Sequence, residues 1–153
     1  AGIAINRGNK TDPGSPGVYF HLDAGRMAIA SGCYFLEPPQ IAAIRSHIAA
    51  HLGELQALLD APDFKRLFGE IVGERNKVLP AELREAAKHQ PLLYNKQFYY
   101  WAEYGPEVAL REDLPEFVME HARAAVPMWP KRSPMKLAPP SWRALRPRRP
   151  MGQ

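Results

Sequence analysis

The 153 residues suit one domain with a buried core, and a composition of 46% hydrophobic and 24% charged residues is that of an ordinary globular protein. No apolar run approaches the roughly 18 residues a membrane span requires, and no charged-then-apolar leader opens the chain, so the expectation is a cytoplasmic protein without a membrane role. A single cysteine, Cys33, excludes an internal disulfide framework.

The net charge of +4 is unevenly spread. Residues 131–153 hold seven of the 20 Lys and Arg and no Asp or Glu, which leaves residues 1–130 with 13 basic against 16 acidic groups. The body is mildly acidic and disfavours specific nucleic-acid binding, since phosphate neutralisation supplies most of such affinity. The expected organisation is a single domain over 1–130 and a basic, Pro- and Arg-rich disordered tail over 131–153.

Along the chain, "GIAIN" at 2–6 reads as a strand that starts without a lead-in, the look of a domain truncated at its N-terminus. "RGNKTDPGSPG" follows as a loop rich in turn-forming residues. From Val18 the pattern becomes strand, turn, strand, with Ala24 and Gly25 turning between Asp23 and Arg26. That register sets Leu22 against Met27, Phe20 against Ile29 and Val18 against Ser31, and gathers the large apolar residues on one face.

"EPPQIAAIRSHIAAHL" predicts a helix that tolerates Pro38 and Pro39 at its start, carries the stripe Ile41, Ile44, Ile48 and Leu52, and ends or bends at Gly53. Short helices are expected at about 54–60 and from Pro62 to Gly69, with a short strand in "EIVGERNKV" and a helix from Pro80 that Pro91 closes. "KQFYYWAEY" at 96–104 reads as an aromatic strand, and "DLPEFVMEHARAAV" as a final helix with Asp113 at its N-cap.

Alternation places Tyr19, His21 and Asp23 on the hairpin face opposite Phe20 and Leu22. His21 then stands beside Ala28, Ala30 and Gly32, small residues that leave room for a ligand or for a closely packed helix. Cys33 falls on the Val18 face, away from His21, which disfavours a Cys–His nucleophilic pair. His47, His51 and Glu54 have a spacing that can hold a metal, but Glu54 lies beyond Gly53, so no metal site is assigned. Phosphate-loop, dinucleotide and nucleophile-elbow signatures are missing, and no cofactor is expected.

Arg7, Lys10, Arg26, Lys77 and Lys96 punctuate the strand ends, where cations can converge on an anionic small molecule. With Tyr19 and His21 they form the candidate site: His21 and Tyr19 in the catalytic or hydrogen-bonding role, the five cations in the ligand-binding role. An imidazole titrates near neutral pH and suits proton transfer.

The stretch "NRGNKTDPGSPGVYFHLDAGRMAIASGCYFLEPPQIAAIR", then "LLDAPDFKRLFGEIVGERNKV" and "LLYNKQFYYW", resembles the conserved hypothetical family called domain of unknown function 2461, over about residues 1–130. "YFHLDAG", the spacing P-x-x-I-A-A-I-R and K-x-F carry the resemblance. It implies an α+β domain with a mostly antiparallel sheet and supplies no reaction. Members of that family carry an N-terminal helical segment and a polar motif ahead of the first strand seen here, which fits the truncated reading. Arg7, Lys10, Tyr19, His21, Lys77 and Lys96 match its recurrent polar positions. The function expected is binding of a small anionic ligand on one sheet face; the alternative is a non-catalytic structural or protein-interaction domain.

Overall fold

A computed structural model describes residues 2–6, 17–33 and 36–128. Arg7, Lys10 and the whole 131–153 segment lie outside the described residues. The described strands are β1 (Gly2–Asn6), β2 (Gly17–Leu22), β3 (Met27–Cys33) and β4 (Phe98–Tyr104), joined in that order into one antiparallel sheet. The helices are α1 (Pro38–Ala50), α2 (Leu52–Leu59), α3 (Pro62–Leu67), α4 (Arg84–His89) and α5 (Leu114–Ala125). The α+β class with an antiparallel sheet is therefore as expected.

The β2–β3 hairpin has the predicted register: Leu22 pairs with Met27, Phe20 with Ile29, and Val18 with Ser31. Its turn is held by Asp23, whose backbone N–H donates to the Arg26 carbonyl and whose carboxylate accepts from the backbone N–H groups of Gly25 and Arg26. A short acidic side chain that bonds its own turn is a local device needing no tertiary help. On β3, Gly32 has φ of +120°, and a Cβ there would lie 2.4 Å from the Phe98 carbonyl oxygen and the Tyr99 Cα. Only glycine lets β4 approach this closely.

Most large apolar side chains of β2, β3 and β4 outside the Tyr19–Tyr99–Trp101 face pack on one side of the sheet. Val18, Met27, Ile29 and Tyr100 pack there with Phe64, Val118 and Ala125, while Phe98 joins Ile48, Leu79, Leu83, Leu92 and Leu93 in a second cluster. The helices thus cover one side of the sheet, and the Tyr100 hydroxyl ties the layers by donating to the Ala125 carbonyl at 2.9 Å. His121 of α5 is fully buried in this layer. Its Nδ1 lies 2.8 Å from the Phe117 carbonyl, which can only accept, so Nε2 accepts from the Tyr104 hydroxyl at 2.6 Å.

Several boundaries differ from expectation for local reasons. The bend after α1 falls at His51, whose Nδ1 meets the His47 carbonyl at 2.8 Å in a non-helical conformation, and Gly53 lies inside the first turn of α2. Ala81–Leu83 forms a 3₁₀ turn before α4, so the helix proper starts four residues after Pro80. Residues 70–78 run beside the start of β4 through bridges Val72–Tyr99 and Arg75–Asn95 without forming a strand. Asp113 occupies the N-cap of α5, but its carboxylate pairs with Arg111 at 2.6 Å instead of capping the backbone.

Candidate functional site

The sheet face turned away from the helices carries Tyr19 and His21 from β2 and Ala28, Ala30 and Gly32 from β3. Across the β3–β4 register stand Glu103, Trp101 and Tyr99, which oppose Ala28, Ala30 and Gly32 in turn. None of these residues belongs to either apolar cluster. The result is a floor of small side chains between Tyr19 and His21 on one flank and Tyr99 and Trp101 on the other. β1 continues the sheet beyond β2, with Ala4 paired to Tyr19 and Gly2 to His21.

One end of this face is polar. His21 Nε2 lies 3.1 Å from Asp23 Oδ2, and the side chain of His21 keeps 18% of its surface exposed. Asp23 is held at about 2, first by the Gly25 backbone N–H, then by the His21 hydrogen bond and the Arg26 backbone N–H. An ionised Asp23 fixes the proton of a neutral His21 on Nε2. Arg26 reaches Glu103 at 2.9 Å and Asp23 at 3.6 Å. Toward the middle of the face, burial raises the Tyr19 hydroxyl above its ordinary value.

Tyr19, His21 and Arg26 are thus brought together. Lys96 is not among them: it precedes β4 at the end opposite Glu103, seven residues or roughly 23 Å away along the strand. There it pairs with Glu74 at 3.5 Å. Lys77 is exposed at that same end, one residue beyond Asn76, whose N–H bonds the Tyr94 carbonyl. Trp101, Tyr99 and Glu103 are the part of the face that sequence reasoning left out. Their signal was the alternation of "FYYWAEY", which puts Tyr99, Trp101 and Glu103 on the face opposite Phe98, Tyr100, Ala102 and Tyr104.

Cys33 is buried, and burial pushes its thiol far up, as expected of an inert core cysteine. The rings of His47 and His51 lie 4.2 Å apart, and among the described residues no group of three His, Cys, Asp or Glu is arranged to hold a metal.

An antiparallel sheet with helices on one side and an aromatic, partly polar face on the other defines a two-layer α+β arrangement. The chain belongs to the family of conserved hypothetical proteins termed DUF2461, which matches residues 1–130. No curated protein and no solved structure matches it. No helix among the described residues is long and apolar enough to cross a membrane.

Proposed function

We propose that the protein binds a small anionic molecule on the floor formed by Ala28 and Ala30, with His21 and Arg26 receiving its charge and Tyr19 and Trp101 flanking its body. The single observation that supports this reading is the row His21–Ala28–Glu103, in which a partly exposed imidazole stands beside the small Ala28, a buried residue that belongs to neither apolar cluster. Arg26 is shared between Asp23 and Glu103. An anion bound there competes with Glu103 for Arg26.

A thermal-shift titration with citrate, AMP and inorganic phosphate tests this, because a ligand of the folded state raises the melting temperature by mass action. A binder is expected among them whose shift is lost in His21→Ala and in Ala30→Trp, which fills the floor. A second reading, a face that docks another protein, is favoured by the aromatic content of Tyr19, Tyr99 and Trp101. It takes precedence if no anion shifts the melting temperature and Trp101→Ala instead disperses a complex seen by sedimentation.

A further inference from the structure

On the helical side, far from the His21 row, α1 carries a charge that its surroundings do not match. Arg45 is only 6% exposed. Its Nη2 donates to the Asn95 carbonyl at 3.0 Å and to the Tyr94 carbonyl at 3.3 Å. Nε is sealed from solvent with no partner, and no carboxylate pairs with the guanidinium among the described residues. Burial accordingly pulls its pKa down. Two carbonyl dipoles offset part of the desolvation of a buried cation, but an anion in contact is what ordinarily compensates it.

Arg45 lines a cleft of about 370 Å³ between α1 and the segment 76–83. That volume is within the range that holds small ligands. Lys96 stands at the same cleft, Ile41 and Leu83 give it apolar walls, and Glu82 contributes one carboxylate. The Glu74 partner of Lys96 is exposed and at 3.5 Å, a loose pair that a ligand displaces readily.

We infer that this cleft binds a small organic monocarboxylate with an apolar body, its carboxylate received by Arg45 and Lys96 and its body lying against Ile41 and Leu83. The charge count of the lining selects the class: with Lys96 released from Glu74, which lies outside the lining, Arg45 and Lys96 against Glu82 leave one net positive charge, which a single carboxylate balances. Glu82 discriminates against more highly charged anions. The site is separate from the sheet face and does not depend on the function proposed for it.

Calorimetric titration of the full chain with benzoate, with benzamide as the neutral isostere and inorganic phosphate as an anion lacking a body, tests the inference. Benzoate is expected to bind at least roughly tenfold more tightly than benzamide, the size of a lost charge-assisted hydrogen bond, and more tightly than phosphate. Lys96→Met should weaken benzoate several-fold without touching the Arg45 tether, and Glu82→Gln should tighten it. Arg45→Lys keeps the charge and loses the fork, so it should weaken benzoate while circular dichroism reports an intact fold. His21→Ala should change nothing, which separates this site from the sheet face. Equal binding of benzoate and benzamide, no benzoate binding at all, or benzoate affinity indifferent to Lys96→Met would each overturn the inference.

Discussion

The Tyr104 hydroxyl lies 2.6 Å from Nε2 of the fully buried His121, and donates to it. Burial lowers the His121 pKa below the ordinary histidine value, outweighing the Phe117 carbonyl and Glu120, which favour the charged form. The unfolded chain therefore takes up a proton near pH 6.5 that the folded chain refuses. Stability is fully present above about pH 6.5 and declines as pH falls below it. Urea unfolding at pH 8 and pH 5 should show this decline, and His121→Phe should flatten it. His121→Ala, which strands the Tyr104 hydroxyl and opens a cavity, should cost about 2–4 kcal/mol at pH 8 and less at pH 5, where the wild type already carries the His121 penalty.

The Asp23 carboxylate works in the opposite sense. It is held at about 2, below its unfolded value near 4, so its contribution is present above about pH 4 and disappears between pH 4 and pH 2. Asp23→Asn keeps an acceptor for the Gly25 and Arg26 N–H groups but removes the charge. It should lower the melting temperature at pH 7 and leave it nearly unchanged at pH 2, as measured by circular dichroism.

Two glycines should respond with opposite signs. Gly32→Ala places a Cβ 2.4 Å from β4 backbone in a left-handed conformation, and should cost about 3 kcal/mol or more. Gly53 in α2 meets nothing within 4 Å, so Gly53→Ala should stabilise by about 0.5–1 kcal/mol. Denaturant titrations of both variants would read the difference directly.

Cys33 is sealed under the sheet with its thiol pushed well above the ordinary range. Ellman's reagent at pH 8 should find no reactive thiol in the native protein and one equivalent after denaturation. Fast native labelling would mean the β3–β4 edge opens readily.

The hairpin was legible because its information is local. Asp23 and Gly25 write the turn, and period-two alternation then fixes which side chains share a face. The position of β4 was not legible, since nothing in "FYYWAEY" says that it pairs with β3 rather than β2, and the aromatic flank of the floor depends on that pairing. The same limit dispersed the expected cations: Lys96 and Arg26 stand at opposite ends of the sheet because strand direction, invisible in a residue list, separates them. Arg45 did leave a signal. It stands four residues after Ile41 and three before Ile48, a charge set into an apolar stripe.

The most direct test of the sheet-face account is a nuclear magnetic resonance titration that follows the Trp101 indole N–H and the His21 ring protons as citrate, AMP and inorganic phosphate are added. The account predicts that one of these anions moves both sets of signals together. It also predicts that His21→Ala abolishes the Trp101 response. Trp101 and His21 signals that stay fixed while the fold is intact, whichever anion is added, would contradict it.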